Sequence, residues 1–82
     1  MPSFSESKGI ELFIEANSII RINLGDEHNE GIFSIYNMNG QLIYQSKIND
    51  RQVYYNMINY PAGTFIIDVR TNRSRETLLF TK

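Results

Sequence analysis

Four polar residues in one loop belong to the types that bind metal ions. Asp26, Glu27, His28 and Glu30 lie close together in a polar segment. Carboxylate oxygens and imidazole nitrogens are common ligands of zinc, and carboxylates also bind calcium. The spacing matches no known ligand motif, however, and His28 is the only histidine of the chain. We therefore expect a solvated loop here, with neither a metal nor another cofactor.

Nucleophilic catalysis finds little support in the composition. The chain of 82 residues has one histidine and no cysteine, and no serine stands in a nucleophile motif. A serine or cysteine nucleophile needs an adjacent base to activate it. The lack of cysteine also excludes disulfide bonds as a source of stability. We therefore predict that the chain is not an enzyme.

Tyrosines are the third group of candidates, because an exposed aromatic ring offers a flat apolar face to a ligand such as a sugar. The five are Tyr36, Tyr44, Tyr54, Tyr55 and Tyr60. We expect half or more of them to pack in the core or across strands. Tyr36 and Tyr54 are the best candidates for exposure, because their strand neighbours Ile35 and Tyr55 point the other way.

The formal net charge of −1 conceals an uneven distribution of charge. Residues 1–41 carry six acids and two bases, whereas residues 42–82 carry three acids and six bases. The last part of the chain is the most basic, with Arg70, Arg73, Arg75 and Lys82 against Glu76. Such a patch is either a solvated face or a docking surface. It is too small to indicate a nucleic-acid partner.

Apolar residues alternate with polar residues along most of the chain, which predicts β-strands. The positions expected on inward faces are Ile10, Leu12, Ile14, Ile20, Ile22, Leu24, Phe33, Ile35, Leu42, Tyr44, Val53, Tyr55, Met57, Phe65, Ile67, Val69, Leu78 and Phe80. Seven such strands with turns every ~8–12 residues predict an all-β fold, a seven-stranded antiparallel immunoglobulin-like β-sandwich. We expect residues 10–82 to form one domain, preceded by a linker or vector-derived segment at residues 1–9. The apolar runs are too short for direct membrane insertion.

Four residues have types that indicate turns rather than binding. Gly40, preceded by Asn39, is expected to supply the positive φ angles of a tight hairpin turn. Pro61 has no N–H to donate to a ladder and must end a strand, and Gly63 then allows a sharp corner. We interpret Asn37, Gly40, Pro61 and Gly63 as mainly structural.

Three segments together resemble a known family. Residues 33–44 (FSIYNMNGQLIY), residues 60–69 (YPAGTFIIDV) and residues 76–82 (ETLLFTK) are similar, in this order and spacing, to blocks of the type A C-terminal sorting domains of Bacteroidota. These domains belong to the type IX, or Por, secretion system. The resemblance covers residues 31–82, with a weaker match over residues 10–24. The prolines that often open the first strand in the family are missing here.

The resemblance implies a function in delivery. Such a domain directs a cargo protein from the periplasm through the type IX outer-membrane translocon to the cell surface. There a sortase commonly removes the domain and anchors the cargo to lipopolysaccharide. The expected partners are thus the translocon or its shuttle and the surface sortase. A retained accessory module of a surface protein, structural or glycan-binding, is the alternative, and the oligomeric state is left open.

The resemblance and the charge pattern together select two groups of residues. The residues that we expect to contact the translocon are Arg70, Arg73, Arg75, Leu78, Phe80 and Lys82. The family-motif residues with a mainly structural role are Asn37, Gly40, Pro61, Gly63 and Phe65. The terminal hairpin is the natural contact surface, either by strand addition at its edge or by capture of the basic terminus.

Overall fold

β-Strands provide all the regular secondary structure of residues 10–16, 18–25 and 30–82, which are the residues that the computed structural model describes. The seven strands are β1 (Glu11–Glu15), β2 (Ile19–Asn23), β3 (Gly31–Asn37), β4 (Leu42–Ile48), β5 (Gln52–Asn56), β6 (Thr64–Arg70) and β7 (Arg75–Thr81). In this part of the chain no helix is long and apolar enough to cross a membrane.

The strands form two antiparallel sheets. One has three strands in the order β1-β2-β5, and the other has four in the order β4-β3-β6-β7. The edge strands β1 and β7 lie against each other across the sandwich. This arrangement confirms the predicted seven-stranded antiparallel β-sandwich.

The core lies between the two sheets and consists of the alternating apolar residues. The buried apolar residues are Ile10, Ile20, Ile22, Leu24, Phe33, Ile35, Ile48, Met57, Phe65, Ile67, Val69 and Phe80. The edge strands β4 and β5 add aromatic contacts between the sheets. The Tyr55 ring stacks on Tyr44 at 4.7 Å between centroids and meets the edge of Phe33 at 5.3 Å.

Strand β4 departs from the predicted alternation. Tyr44 packs against the core as expected, but Leu42 is 51% exposed and Ile43 is 42% exposed. The cause is a register shift, because Ile35 pairs with Tyr44 while the next residue, Tyr36, pairs with Leu42. Ile43 is the extra residue of this bulge, and it interrupts the period-two pattern.

The turn between β3 and β4 also differs in detail from the prediction. Gly40 has a positive φ of 83°, but Asn39 does not. The Gly40 amide donates to the Asn37 carbonyl oxygen at 3.0 Å, and the Asn37 amide donates to the Gln41 carbonyl oxygen at 3.0 Å. A left-handed glycine at the fourth position of the turn, residues 37–40, is the pattern of a three-residue hairpin loop with a bulge.

Candidate recognition surface

The outer face of the four-stranded sheet is ordered in three rows, because the register aligns side chains across all four strands. The cationic row consists of Lys47, Ile32, Arg70 and Arg75. The polar row consists of Gln45, Ser34, Asp68 and Thr77. The apolar row consists of Leu42, Tyr36, Ile66 and Leu79.

The two central residues of the polar row are buried although they lie on the outer face, whereas Gln45 and Thr77 at its ends are exposed. Asp68 is 3% exposed and Ser34 is 1% exposed. Arg75 binds the Asp68 carboxylate with an Nε–Oδ1 distance of 2.8 Å, and Thr77 donates its hydroxyl to the same oxygen at 3.1 Å. Gln45 donates to the Ser34 hydroxyl at 3.0 Å. Neighbouring strands thus satisfy these buried groups, as burial requires.

Arg75 is an exposed arginine that forms a hydrogen bond with the buried carboxylate of Asp68. Its side chain is 65% exposed while it binds Asp68. The hydrogen bond to Asp68 and the charge of that carboxylate raise the pKa of Arg75. The guanidinium is therefore held in one orientation, with its remaining donors available at the surface.

The motif residues meet at one end of this sheet, which we call the motif end. Asn37 pairs with Phe65 across β3 and β6. Gly63 lies just before β6, and its amide donates to the Lys82 carbonyl oxygen at 3.2 Å. The Asn37 side-chain oxygen accepts two amides of the hairpin turn, those of Asn39 at 2.9 Å and Gln41 at 3.0 Å. Three motif segments that are distant in sequence thus lie side by side.

Lys82 connects the end of the chain to the segment before Pro61 by hydrogen bonds. Its amide donates to the Gly63 carbonyl oxygen at 2.8 Å. Its ammonium donates to the Ile58 carbonyl oxygen at 2.8 Å and also to the Tyr60 carbonyl oxygen. The Lys82 ammonium group therefore donates its hydrogen bonds to backbone carbonyl oxygens of the folded domain.

The two remaining motif positions lie next to this junction. Pro61 is exposed in the loop before β6, whereas Phe65 is 5% exposed and packs edge-on against Tyr60 at 5.8 Å. Gly63 has a φ of 150°, a conformation that residues with a side chain rarely adopt. The mainly structural role of the motif residues stays a prediction.

The arginines lie at the opposite end of the sheet, which we call the arginine end. Arg70 ends β6 and Arg75 begins β7. Arg73 stands in the turn between them, where its amide donates to the Thr71 hydroxyl at 3.2 Å. All three arginines are exposed. Because β6 has seven residues, about 20 Å of strand separates them from the motif end.

The expected translocon contacts thus fall into two structural classes. The three arginines are on the surface, whereas Phe80 is 5% exposed and belongs to the core. Leu78 is partly buried and packs against that core. Leu79 was not among the expected contacts, yet it is 61% exposed. Its outward position follows from the alternation with Leu78 and Phe80, which is the signal that could have identified it.

The tyrosines divide largely as the sequence predicts, except that Tyr36 is not fully exposed. Tyr44, Tyr55 and Tyr60 pack against the core, and the Tyr55 and Tyr60 hydroxyls are 2.7 Å apart. Burial and this hydrogen bond raise the pKa of Tyr55. Tyr54 is 59% exposed, while Tyr36 is partly buried in the apolar row. The two belong to different sheets and form no common platform for a sugar.

The candidate metal loop falls mostly outside the described residues. Asp26, Glu27 and His28 are not among them, whereas Glu30 is exposed just before β3. Within the described ranges no group of three or more metal-ligating side chains occurs.

Comparisons with known proteins agree with the fold and identify the family. The chain is similar to a DUF3244-family protein with an immunoglobulin-like β-sandwich fold from Bacteroides vulgatus, at 18% identity and a TM-score of 0.76. The match covers 89% of this chain and 83% of that chain. A comparison with curated proteins gives no match. The family model of the secretion system C-terminal sorting domain matches residues 16–80. The chain therefore belongs to the C-terminal sorting domains of the type IX secretion system of Bacteroidota.

Proposed function

We propose that the type IX outer-membrane translocon or its shuttle recognises this domain through the exposed side of the hairpin β6–β7. The cargo then passes from the periplasm to the surface, where a sortase removes the domain and anchors the cargo to lipopolysaccharide. The supporting observation is the family match over residues 16–80. Membership by itself implies export to the cell surface or secretion, and it places the chain among non-catalytic domains.

Within the described residues no strand pairs with the outer edge of β7, which supports recognition by strand addition. β7 is the last strand of its sheet. Gly63 and Lys82 exchange two hydrogen bonds, and in an antiparallel ladder such pairs alternate with pairs whose amides point outward. Counting from that pair, the register assigns the outward positions to Arg75, Thr77, Leu79 and Thr81. A partner strand would meet a row of available backbone groups there.

The first experiment tests delivery. Residues 1–82 are fused to the C-terminus of a periplasmic reporter in a type IX-competent host, and the surface-exposed reporter is measured. We expect surface delivery that is lost in a translocon-deficient strain. Periplasmic retention in both strains would contradict the proposed function.

The second experiment tests which part of β7 is recognised. Deletion of residues 78–82 is a poor test, because it removes the buried Phe80 and the Lys82 bonds and so unfolds the domain. Leu79→Pro removes one outward amide, whereas Leu79→Ser keeps the amide and removes the exposed side chain. Proline is tolerated on an edge strand where its missing N–H faces solvent.

Strand addition predicts that Leu79→Pro reduces surface delivery much more than Leu79→Ser does. Recognition of the Leu79 side chain instead predicts similar losses in both variants, because each of them replaces the leucine side chain. Both variants are first compared with the original chain by urea unfolding, so that a folding defect is not counted as a recognition defect. If both variants deliver the reporter as well as the original chain does, recognition at the edge of β7 is contradicted.

A further inference from the structure

The cationic row brings three positive charges together, and the described residues show an ion pair for Arg75 alone among them. Arg70 lies directly opposite Arg75 on the neighbouring strand, and Lys47 stands in the same row beyond Ile32. Like charges directly opposite each other destabilise a sheet. In the described part of the chain Asp68 binds Arg75, but neither the Lys47 nor the Arg70 side chain has an ion pair there.

These two unpaired cations line the same cleft. The cleft has a volume of about 460 Å³ and lies where β3 begins and where β4 and β6 end. Among the described residues, the polar side chains that line it besides Lys47 and Arg70 are Glu30, Asn49, Thr71 and Asn72. A concave site with several converging polar groups is the usual form of a small-ligand site.

Gly31 permits the close approach of the strands that form the cleft. A Cβ atom at this position would lie 2.6 Å from the Arg70 carbonyl oxygen. Any larger residue would push β3 away from the end of β6. The relative positions of Lys47 and Arg70 therefore depend on a glycine at residue 31.

The chemistry of the lining specifies a class of ligand. An arginine fork binds phosphate or carboxylate through two hydrogen bonds, and a lysine adds a compact point charge. The Glu30 carboxylate opposes a bare anion but accepts hydrogen bonds from hydroxyl groups, which Asn49 and Asn72 also bind. Ile32, between the two cations, offers an apolar contact. We propose that this cleft binds an anionic carbohydrate, a sugar that carries a phosphate or carboxylate group.

This inference does not depend on the proposed function. Lys47 lies on β4, outside the terminal hairpin β6–β7, and binding of a sugar is measured without the secretion machinery. Loss of surface delivery and loss of sugar binding are therefore separate outcomes.

The test is a titration of the 82-residue chain with glucose 6-phosphate at low ionic strength, followed by ¹⁵N–¹H NMR. We expect saturable shifts of the Gly31, Ile48 and Thr71 amides. Arg70→Gln and Lys47→Gln should each raise the Kd about tenfold, since each removes a charge-assisted contact. Arg51→Gln is the matched control, because it removes the same charge from a residue that does not line the cleft.

Three results would overturn the proposal. The first is the absence of saturable shifts at the cleft amides. The second is an equal loss of affinity in Arg51→Gln and Arg70→Gln, which would indicate a general effect of net charge. The third is equally tight binding of inorganic phosphate, which would contradict the assignment of a carbohydrate. Weaker binding of both inorganic phosphate and uncharged glucose supports it.

Discussion

At the motif end of the four-stranded sheet, the polar groups of Asn37, Gly63 and Lys82 all have partners. At the arginine end, Arg70 faces Arg75 across the strands, and Lys47 and Arg70 have no ion pair in the described residues. Satisfied groups stabilise a fold, whereas unpaired like charges cost stability. The difference suggests that the motif end serves folding and that the arginine end is available for binding.

The largest expected effect is at the motif end. Phe65→Ala removes a ring that is 5% exposed and should lower the free energy of unfolding by about 3 kcal/mol. That is more than half of the ~5 kcal/mol that a domain of this size has. Urea unfolding measures it, with Tyr54→Ala as an exposed control that should change stability by less than about 0.5 kcal/mol. If Phe65→Ala changes the free energy of unfolding only slightly, the role of the motif end in folding is contradicted.

High pH offers a second measurement on the same aromatic cluster. The pKa of Tyr55 is raised from its ordinary value of 10.0 by burial and by the bond to Tyr60. The unfolded chain therefore loses this proton first, so the stabilisation is complete below pH 10 and declines as the pH rises above that value. The free energy of unfolding should therefore be lower at pH 11 than at pH 9.

Tyr55→Phe is the control for this pH dependence. It removes the ionisable group and should flatten the decline between pH 10 and 11, measured by urea unfolding at each pH. The difference between the two curves reports the hydroxyl pair of Tyr55 and Tyr60, because Tyr55→Phe also removes the partner of Tyr60. Identical curves would contradict a raised pKa.

Lys82→Met should cost about 1 kcal/mol, because two charge-assisted bonds to partly exposed carbonyl oxygens are lost. The effect should be local as well as global. Hydrogen exchange of the residue 82 amide, which donates to Gly63, should accelerate more than exchange of the Arg70 amide at the other end. An equal acceleration of hydrogen exchange at both amides would show that the Lys82 bonds do not stabilise the chain end locally.

The smallest expected effect has the opposite sign and lies at the arginine end. Arg70→Gln relieves the repulsion from Arg75 and should raise the free energy of unfolding by about 0.3 kcal/mol at low ionic strength. The gain should disappear at ~1 M salt, where the screening length is about 3 Å. A destabilised Arg70→Gln variant would mean that Arg70 has a stabilising partner, and the contrast between the two ends would fail.

Much of the fold could be predicted because its signals are local. Alternation assigned Phe33, Ile35, Phe65 and Ile67 to the core, and the turn residues separated the strands. The prediction was wrong where a distant partner decides the outcome. Leu42 points outward because of a bulge in the pairing of β4 with β3, and no property of residues 41–47 alone reveals that bulge.

The candidate surface was predicted less completely. The sequence located the basic residues, but it did not separate exposed Arg75 and Leu79 from buried Phe80 and the occupied Lys82. Exposure along an edge strand depends on what covers each face, and local composition carries little information about that. The contacts with the translocon stay a prediction.

The sequence by itself determined the number of strands, the inward face of most of them and the family, because these depend on periodicity and turn chemistry within a few residues. Only the tertiary structure decided the burial of Asp68, the role of Lys82 and the alignment of Lys47 with Arg70. These features depend on register between strands that are distant in sequence. Register is fixed by the packing of the whole sandwich, which no single segment of the chain encodes.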